Sequence, residues 1–393
     1  MESHQMFPYR LLAPGPVPLS DGVRQALAEP MIHHRSEAFQ FILKEALELL
    51  KHVFQTSQPV MILNAAGSGA MEAALVNTLS PGDEALFIVS GKFGERWLKM
   101  GKSFGLKCQV LETQWGSATQ PHELAAALTQ YPQVKAVFSQ VCETSTAVVH
   151  PIKELSEVVH AHDPTTLFIV DAMTAMGAME LPMDKWKLDV VVSGSQKAFM
   201  LPAGLSFIAL SERAWLAYEK CRMPKFYFDL GPELKANQGN ETRFSSGVSL
   251  IRGLHCALKE SFAGDGLSRS ILRSQTLAKT TRETFIHYGW KIYAQSPSSS
   301  VTAAWIPEEL QEKKIGSLLL KKFNIYVAGG QDSLKGKIIR VGHLGHITDE
   351  DQVFFAQALG LVLQECGWAK ASAQQIDQAV QLTKNLLKSE TSI

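Results

Sequence analysis

The chain has 393 residues, 46% hydrophobic and 19% charged, the make-up of an ordinary globular protein with room for a large domain and a smaller one. Its 38 Lys and Arg balance 38 Asp and Glu, so no net field recruits nucleic acid or an anionic membrane. No apolar run approaches the ~20 residues of a membrane span, and the N-terminus, MESHQMFPYRLLAPGPVP, lacks a signal-type apolar core, so a cytoplasmic protein is expected.

Pro8, Pro14, Pro16 and Pro18 forbid a helix over residues 1–20, which read as an extended arm. A helix follows over Glu37–Phe54, with Ile42, Leu43, Ala46, Leu47, Leu50 and Val53 on one stripe and Ser36 as its N-cap. The run 60–63 reads as a strand that enters a small-residue loop, after which an Ala-rich helix begins near Gly69. A phosphate suits such a helix N-terminus: Gly67 and Gly69 let the backbone approach, and the Ser68 hydroxyl donates. Residues 85–91 form a buried strand ending in GKFGERW, with Phe93 just beyond it. Residues 134–152 read as strand, loop and helix, with Pro151 near the first helical turn. Ala147, within that loop, is expected at negative φ.

Residues 166–170 form a strand ending in Asp171, and 188–192 a second apolar, β-branched strand. The latter runs into Ser193, Gly194, Ser195, Gln196 and Lys197. Ligands of open α/β sheets bind outside the carboxyl ends of the strands. A lysine placed there is partly desolvated, which favours its neutral, nucleophilic amine, as a Schiff-base lysine requires. A carboxylate and a lysine at two nearby strand ends suit pyridoxal phosphate (PLP): Lys197 forms the aldimine, and Asp171 keeps the pyridine nitrogen protonated so that the ring acts as an electron sink. Residues 202–204 turn the chain into a strand at 205–210, and the alternation of strands and helices argues a mostly parallel sheet covered on both faces.

From about residue 264 the pattern becomes α+β. A helix at 269–288 is followed by strands near 291–293 and 301–306, a helix at 307–323, and strands near 325–328 and 337–341. Thr348 caps a further helix with Asp349, Glu350 and Asp351 in its first turn, and 368–393 reads as an added polar helix. The loop 329–336, GGQDSLKG, reads as a mobile lid. The five cysteines, Cys108, Cys142, Cys221, Cys256 and Cys366, are scattered without CxxC spacing and read as reduced and mostly buried, with no metal site expected.

SGSQKAFMLPAG, preceded by VDAMTAMGA, resembles the class V (fold type I) PLP-dependent aminotransferases, most closely their serine–pyruvate/alanine–glyoxylate branch. The resemblance runs from about residue 12 to about residue 365. It implies an aspartate-aminotransferase-like fold, with a large domain built on a seven-stranded, mostly parallel sheet and a smaller α+β C-terminal domain. The corresponding division is an arm at 1–20, a PLP-binding domain at 21–264, a small domain at 265–368 and an extension at 369–393. A homodimer with shared active sites is implied, the LAPGPVPL arm crossing the partner and its Pro–Gly corner lining the site. Thr242 and Ser245, in ETRFSSGVSL, match positions that hold the partner's cofactor phosphate.

The resemblance also implies roles within one chain. Gly67, Ser68 and Gly69 align with the phosphate cup, Phe93 with an aromatic that stacks on the pyridine, and Thr144 in ETSTAVVHP with a hydroxyl at the phenolic oxygen. Gln196 and Ser195 are candidate phosphate or loop contacts, and Arg340 in KIIRVGHLG matches the arginine that grips the substrate α-carboxylate. His34 and Arg35 match an HRS motif and read as cap or interface residues; His343 and His346 depart from the family pattern. The implied reaction is a ping-pong transamination through a Lys197 aldimine, between alanine or serine and glyoxylate or pyruvate. The rival readings are an aspartate aminotransferase using 2-oxoglutarate, which shares every motif, a PLP lyase or desulfurase, and a non-catalytic homologue. A desulfurase needs a small-domain cysteine that 328–339 lacks, and a non-catalytic chain has no need of Lys197, Asp171 and Arg340 together. Some class V members bear the name of a soluble hydrogenase subunit, but the scattered cysteines offer no redox cluster.

Overall fold

The computed structural model describes residues 7–388; positions 1–6 of the arm and 389–393 of the extension lie outside the described residues. After β1 (Arg10–Leu11), helices α1 (Asp21–Ala28) and α2 (Glu37–Phe54) lead to β2 (Val60–Leu63), α3 (Gly67–Thr78), β3 (Glu84–Val89), α4 (Lys92–Ser103), β4 (Lys107–Glu112), α5 (Pro121–Gln130) and β5 (Ala136–Gln140). A short hairpin of β6 (Cys142–Glu143) and β7 (Val148–Val149) precedes α6 (Ile152–His162), β8 (Leu167–Asp171), β9 (Val190–Gly194) and β10 (Ser206–Leu210). Helices α7 (Glu212–Lys220), α8 (Leu230–Gln238), α9 (Val248–Ser261) and α10 (Gly266–His287) carry the chain to β11 (Val301–Trp305) and α11 (Ile315–Phe323). The last elements are β12 (Ile325–Tyr326), β13 (Ala328–Gly329), β14 (Ile338–Gly342), α12 (Asp349–Glu365) and α13 (Ala373–Lys388).

Seven strands form one sheet in the order β2-β10-β9-β8-β5-β3-β4, and only β10 runs against the others. Successive side chains of a strand face opposite sides. Accordingly Phe168 and Val170 enter one core, with α2, α6 and α9, while Ile169 enters the other, with α3 and α4. Burial on both faces explains why β8 and β9 read as continuous apolar runs. The sheet delivers Gln140, Asp171 and Gly194, the last residues of three neighbouring parallel strands, to the same edge.

The C-terminal part packs α10, α12 and α13 around Phe285, Tyr288, Phe355 and Leu359, against an antiparallel sheet ordered β11-β14-β13. The architecture is the expected one: a mostly parallel seven-stranded sheet with helices, followed by a smaller α+β part.

Several local expectations change. α13 is no polar appendage: Ile376, Ala379, Thr383 and Leu387 recur at spacings of 3 and 4 and are buried against the rest of this core. The helix expected at 307–323 is broken by Lys314 at φ 51°, leaving a 3₁₀ turn (Glu308–Lys313) before α11. Residues 291–293 make a single bridge, Ile292 to Ala304, instead of a strand. Ala147 is buried at φ 60°, not at negative φ, because the tight β6–β7 turn requires the left-handed region there. Of the five cysteines only Cys142 is buried; the other four, all free, are half-buried.

The described part of the arm is anchored on the C-terminal part. Arg10 and Leu11 pair in parallel with Ile325 and Tyr326 of the same chain, and Gly342 N–H donates to Leu12 O at 2.8 Å. Residues 10–12 therefore lie on this chain's own C-terminal part. The loop 329–336 is partly ordered by a 3₁₀ turn (Asp332–Leu334), with Asp332 paired to Lys92 of α4. Among the described residues no helix is long and apolar enough to cross a membrane.

Candidate active site

The loop after β9 is closed by Ser195, whose hydroxyl donates to Pro202 O at 2.7 Å and accepts from Leu205 N–H at 3.2 Å. These bonds make Ser195 a loop residue and turn Lys197 towards the arm, where its Nζ donates to Pro14 O at 2.7 Å. Burial lowers the Lys197 amine to about 8, with the nearby Asp171 charge opposing the shift. Asp171, 5% exposed at the end of β8, moves the other way. Burial raises it to about 6, although Met173 N–H donates to its Oδ1 at 2.8 Å and favours the ionised form.

Arg340, on the central strand of the small sheet, reaches the turn between β6 and β7. Its Nε donates to Gly329 O and its Nη1 to Thr144 O, each at 2.9 Å. Thr144 Oγ1 in turn lies 3.0 Å from Thr174 Oγ1, in the turn that follows Asp171. Two of the five guanidinium N–H groups fix the arginine's orientation, and the others remain for a carboxylate.

Glu143, fully buried beside Thr144, holds this side of the site together. Its Oε2 accepts from Phe93 N–H and Gly94 N–H, both at 3.0 Å. Its Oε1 accepts from Ser145 N–H at 3.1 Å and from the Ser145 hydroxyl at 2.6 Å. Burial raises its pKa while these four donors hold it down. The carboxylate thus caps α4 from another segment and fixes the half-buried Phe93.

The N-terminus of α3 has no side-chain cap, since its N-cap is Ala66, and no acidic residue in its first turn. It meets the lysine loop closely. A Cβ added to Gly194 would stand 3.0 Å from Gln196 Oε1, 3.1 Å from Met173 Sδ and 3.5 Å from Gly67 Cα. Gln196 Oε1 is buried without a hydrogen-bond partner. Ser68 Oγ accepts from Arg96 Nη1 at 3.2 Å, and the Arg96 guanidinium carbon lies 4.8 Å from the Phe93 ring centroid. An uncapped helix end, a desolvated lysine and a buried carboxylate form a set that fits PLP.

Thr242 and Ser245 form no hydrogen bond with the lysine. Thr242 Oγ1 donates to Phe244 O at 2.7 Å and bonds Ser246 Oγ, while Ser245 O accepts from Asn64 Nδ2 at 2.8 Å. They flank the loop before this chain's own α3, and their side chains touch no other candidate residue. Arg35 pairs with Glu241. His343 is buried, lies 2.9 Å from Thr302 Oγ1 and is lowered to about 3 by burial; His346 is exposed. Among the described residues no group of three or more His, Cys, Asp or Glu is arranged to hold a metal ion.

Sequence reading did not single out Arg96, Glu143 or Thr174. Arg96 had a local signal, standing one helical turn after Phe93 in GKFGERW. Glu143 and Thr174 act through contacts between distant segments and had none.

A mostly parallel sheet with a lysine and an aspartate at its carboxyl edge defines a PLP-dependent enzyme of fold type I. The "Aminotransferase class-V" family model matches residues 23–353. The "Soluble hydrogenase 42 kDa subunit" of Anabaena cylindrica is 39% identical, over 91% of this chain and 94% of that protein. The "L-aspartate--glyoxylate aminotransferase" of Paracoccus denitrificans is 33% identical, over 86% of this chain and 87% of that protein. Among solved structures, alanine–glyoxylate aminotransferase from Nostoc sp. superimposes with a TM-score of 0.86 at 28% identity, over 92% of this chain and 97% of that one. The chain belongs to the class V aminotransferases; it is an aminotransferase whose cofactor is pyridoxal phosphate.

Proposed function

We propose that this enzyme transaminates a small amino acid, alanine or serine, against glyoxylate or pyruvate, and that Lys197, Asp171 and Arg340 carry the reaction. The observation that carries the reading is the Lys197 amine, lowered to about 8 and within electrostatic reach of both Asp171 and Arg340. When bound, PLP supplies an aldehyde carbon that exchanges amines and a ring that takes up the electrons of the substrate's α C–H bond.

Lys197 Nζ would hold the cofactor and yield its place to the substrate amine. Freed, Nζ would remove the α-proton as a base and deliver it as an acid to the cofactor's former aldehyde carbon, work suited to an amine near 8. Asp171 would pair with the ring nitrogen of the bound cofactor and keep it protonated. Arg340 receives the substrate carboxylate in a fork already oriented by Gly329 and Thr144. Ser68, Gln196 and the first amides of α3, with Gly67 and Gly69 allowing close approach, take the phosphate. Phe93 would cover the ring, and Thr144 would serve the phenolic oxygen. The 2-oxo acid made from the donor leaves before the acceptor enters, so both half-reactions use the same residues.

The small-substrate preference is supported by the Nostoc enzyme named for alanine and glyoxylate. A second reading, an aspartate donor, draws support from a relative named for aspartate and glyoxylate. We also read the chain as half of a homodimer, because Phe226 and Tyr227 expose aromatic surface in the segment 223–249. Thr242 and Ser245 keep their proposed place at the partner's phosphate, and the site of action is cytoplasmic. The domain division at residues 20, 264 and 368 is part of the same reading.

The test is Lys197→Ala. Cofactor-linked visible absorbance and transamination should vanish together, turnover falling by about a thousandfold or more. Retained turnover would remove the mechanism.

A further inference from the structure

The proposed phosphate cup is short of positive charge. Near neutral pH a phosphate monoester carries roughly −1.5 to −2 charges. The aligned dipoles of α3 contribute about half a positive charge, and Ser68 and the Gln196 amide contribute none. Lys197 is committed to the other end of the cofactor in the mechanism above, and Arg340 is held by Gly329 and Thr144.

Arg96 fills this deficit. It stands one turn beyond Phe93 on α4, with its guanidinium carbon 4.8 Å from the Phe93 ring centroid and Nη1 donating to Ser68 Oγ at 3.2 Å. It is exposed and makes no direct ion pair among the described residues, although its charge reaches Asp171, whose carboxyl it helps keep ionised. Glu143 anchors the α4 N-terminus through Phe93 and Gly94, which fixes the helix that presents Arg96. A guanidinium fork can engage two phosphate oxygens in parallel, which an ammonium cannot.

We propose that Arg96 binds the cofactor's phosphate together with Ser68 and the N-terminal amides of α3, and so sets the affinity for PLP. The assignment rests on the reading of α3 as the phosphate cup. It leaves Arg340 as the substrate's arginine and gives Arg96 no part in selecting the amino donor.

The test compares PLP with pyridoxal, which lacks the phosphate. Wild type, Arg96→Gln and Arg96→Lys are freed of cofactor and titrated with each compound, following the visible band of the lysine-bound form. Arg96→Gln should weaken PLP binding by about tenfold to a hundredfold and pyridoxal binding by less than about twofold. Arg96→Lys should recover part of the loss, and added salt should narrow the gap between wild type and Arg96→Gln. Equal losses for PLP and pyridoxal, or unchanged PLP affinity, would overturn the assignment. So would intact PLP affinity with a selective loss of aspartate binding, which would make Arg96 the reader of a substrate side chain. Melting curves of the cofactor-free variants control for folding; if Arg96→Gln does not fold, the PLP-to-pyridoxal ratio of Arg96→Lys decides. A wild type that binds neither compound would sink the cofactor site itself; one that binds both, beside an indistinguishable Arg96→Gln, would sink only the role of Arg96.

Discussion

Lys197 Nζ donates to the carbonyl oxygen of Pro14 at 2.7 Å, so the arm forms one wall around the reactive amine. Gly15 makes the approach possible. A Cβ there would stand 2.3 Å from Nζ, and the residue's φ of 137° suits glycine alone. Gly15→Ala is therefore expected to cost at least about tenfold in PLP affinity while the global fold persists. Titration of the cofactor-free variant, with its far-UV circular dichroism, checks this; wild-type affinity would mean that the arm does not bear on the amine.

The lowered Lys197 amine has a signature in stability. Its folded value is about 8 against an ordinary 10.5, so between these values the unfolded chain binds the proton that the folded chain has lost. Stability from this group therefore rises with pH across that window, and below pH 8 the folded state bears the full cost of the buried ammonium. At 1.36 kcal/mol per pH unit that cost is on the order of 3 kcal/mol. Cofactor-free Lys197→Met should melt above wild type at neutral pH, with the gap closing as the pH passes 10.5. A gap independent of pH would assign the difference to packing.

Arg340 ties the small sheet to the Thr144 loop and offers its remaining N–H groups to a carboxylate. Arg340→Ala should weaken binding of amino and 2-oxo acids by about a hundredfold or more and leave PLP affinity within a few-fold. Equal losses of substrate and cofactor would make the arginine a structural brace.

Glu143 and Ala147 make opposite predictions for one hairpin. Glu143→Ala strands four donors in a buried site and should destabilise the protein by about 3 kcal/mol or more, read from denaturant unfolding. Ala147→Gly, at φ 60°, relieves a left-handed alanine and should stabilise by about 1 kcal/mol. A loss of stability at Ala147→Gly would show that the buried methyl group contributes more than the strain it brings.

The sheet edge that carries Asp171 and leads to Lys197 was legible in the sequence because both strands are apolar runs that stop at a chemically distinctive residue. Burial on both faces forces such runs, and the sheet then exposes their carboxyl ends. Ser36 and Thr348 were legible as caps because capping is local; both accept the backbone bonds expected of them. Contacts set by the tertiary fold were not legible. Glu143 meets Phe93 and Gly94 from about 50 positions away, and Arg10 and Leu11 choose Ile325 and Tyr326 as partners through an arm with no periodicity. Ala147 was misjudged because residue type biases φ while the hairpin decides it. The stripe on α13 was present at spacings of 3 and 4 but sparse among polar residues.

The most direct measurement is the visible spectrum of the PLP-loaded enzyme during separate additions of L-alanine, L-serine and L-aspartate, each followed by glyoxylate. The band of the lysine-bound cofactor should bleach with alanine or serine, barely respond to aspartate, and return when glyoxylate is added. A band that aspartate bleaches more readily would contradict the small-substrate reading. One that no amino acid alters would contradict transamination at Lys197.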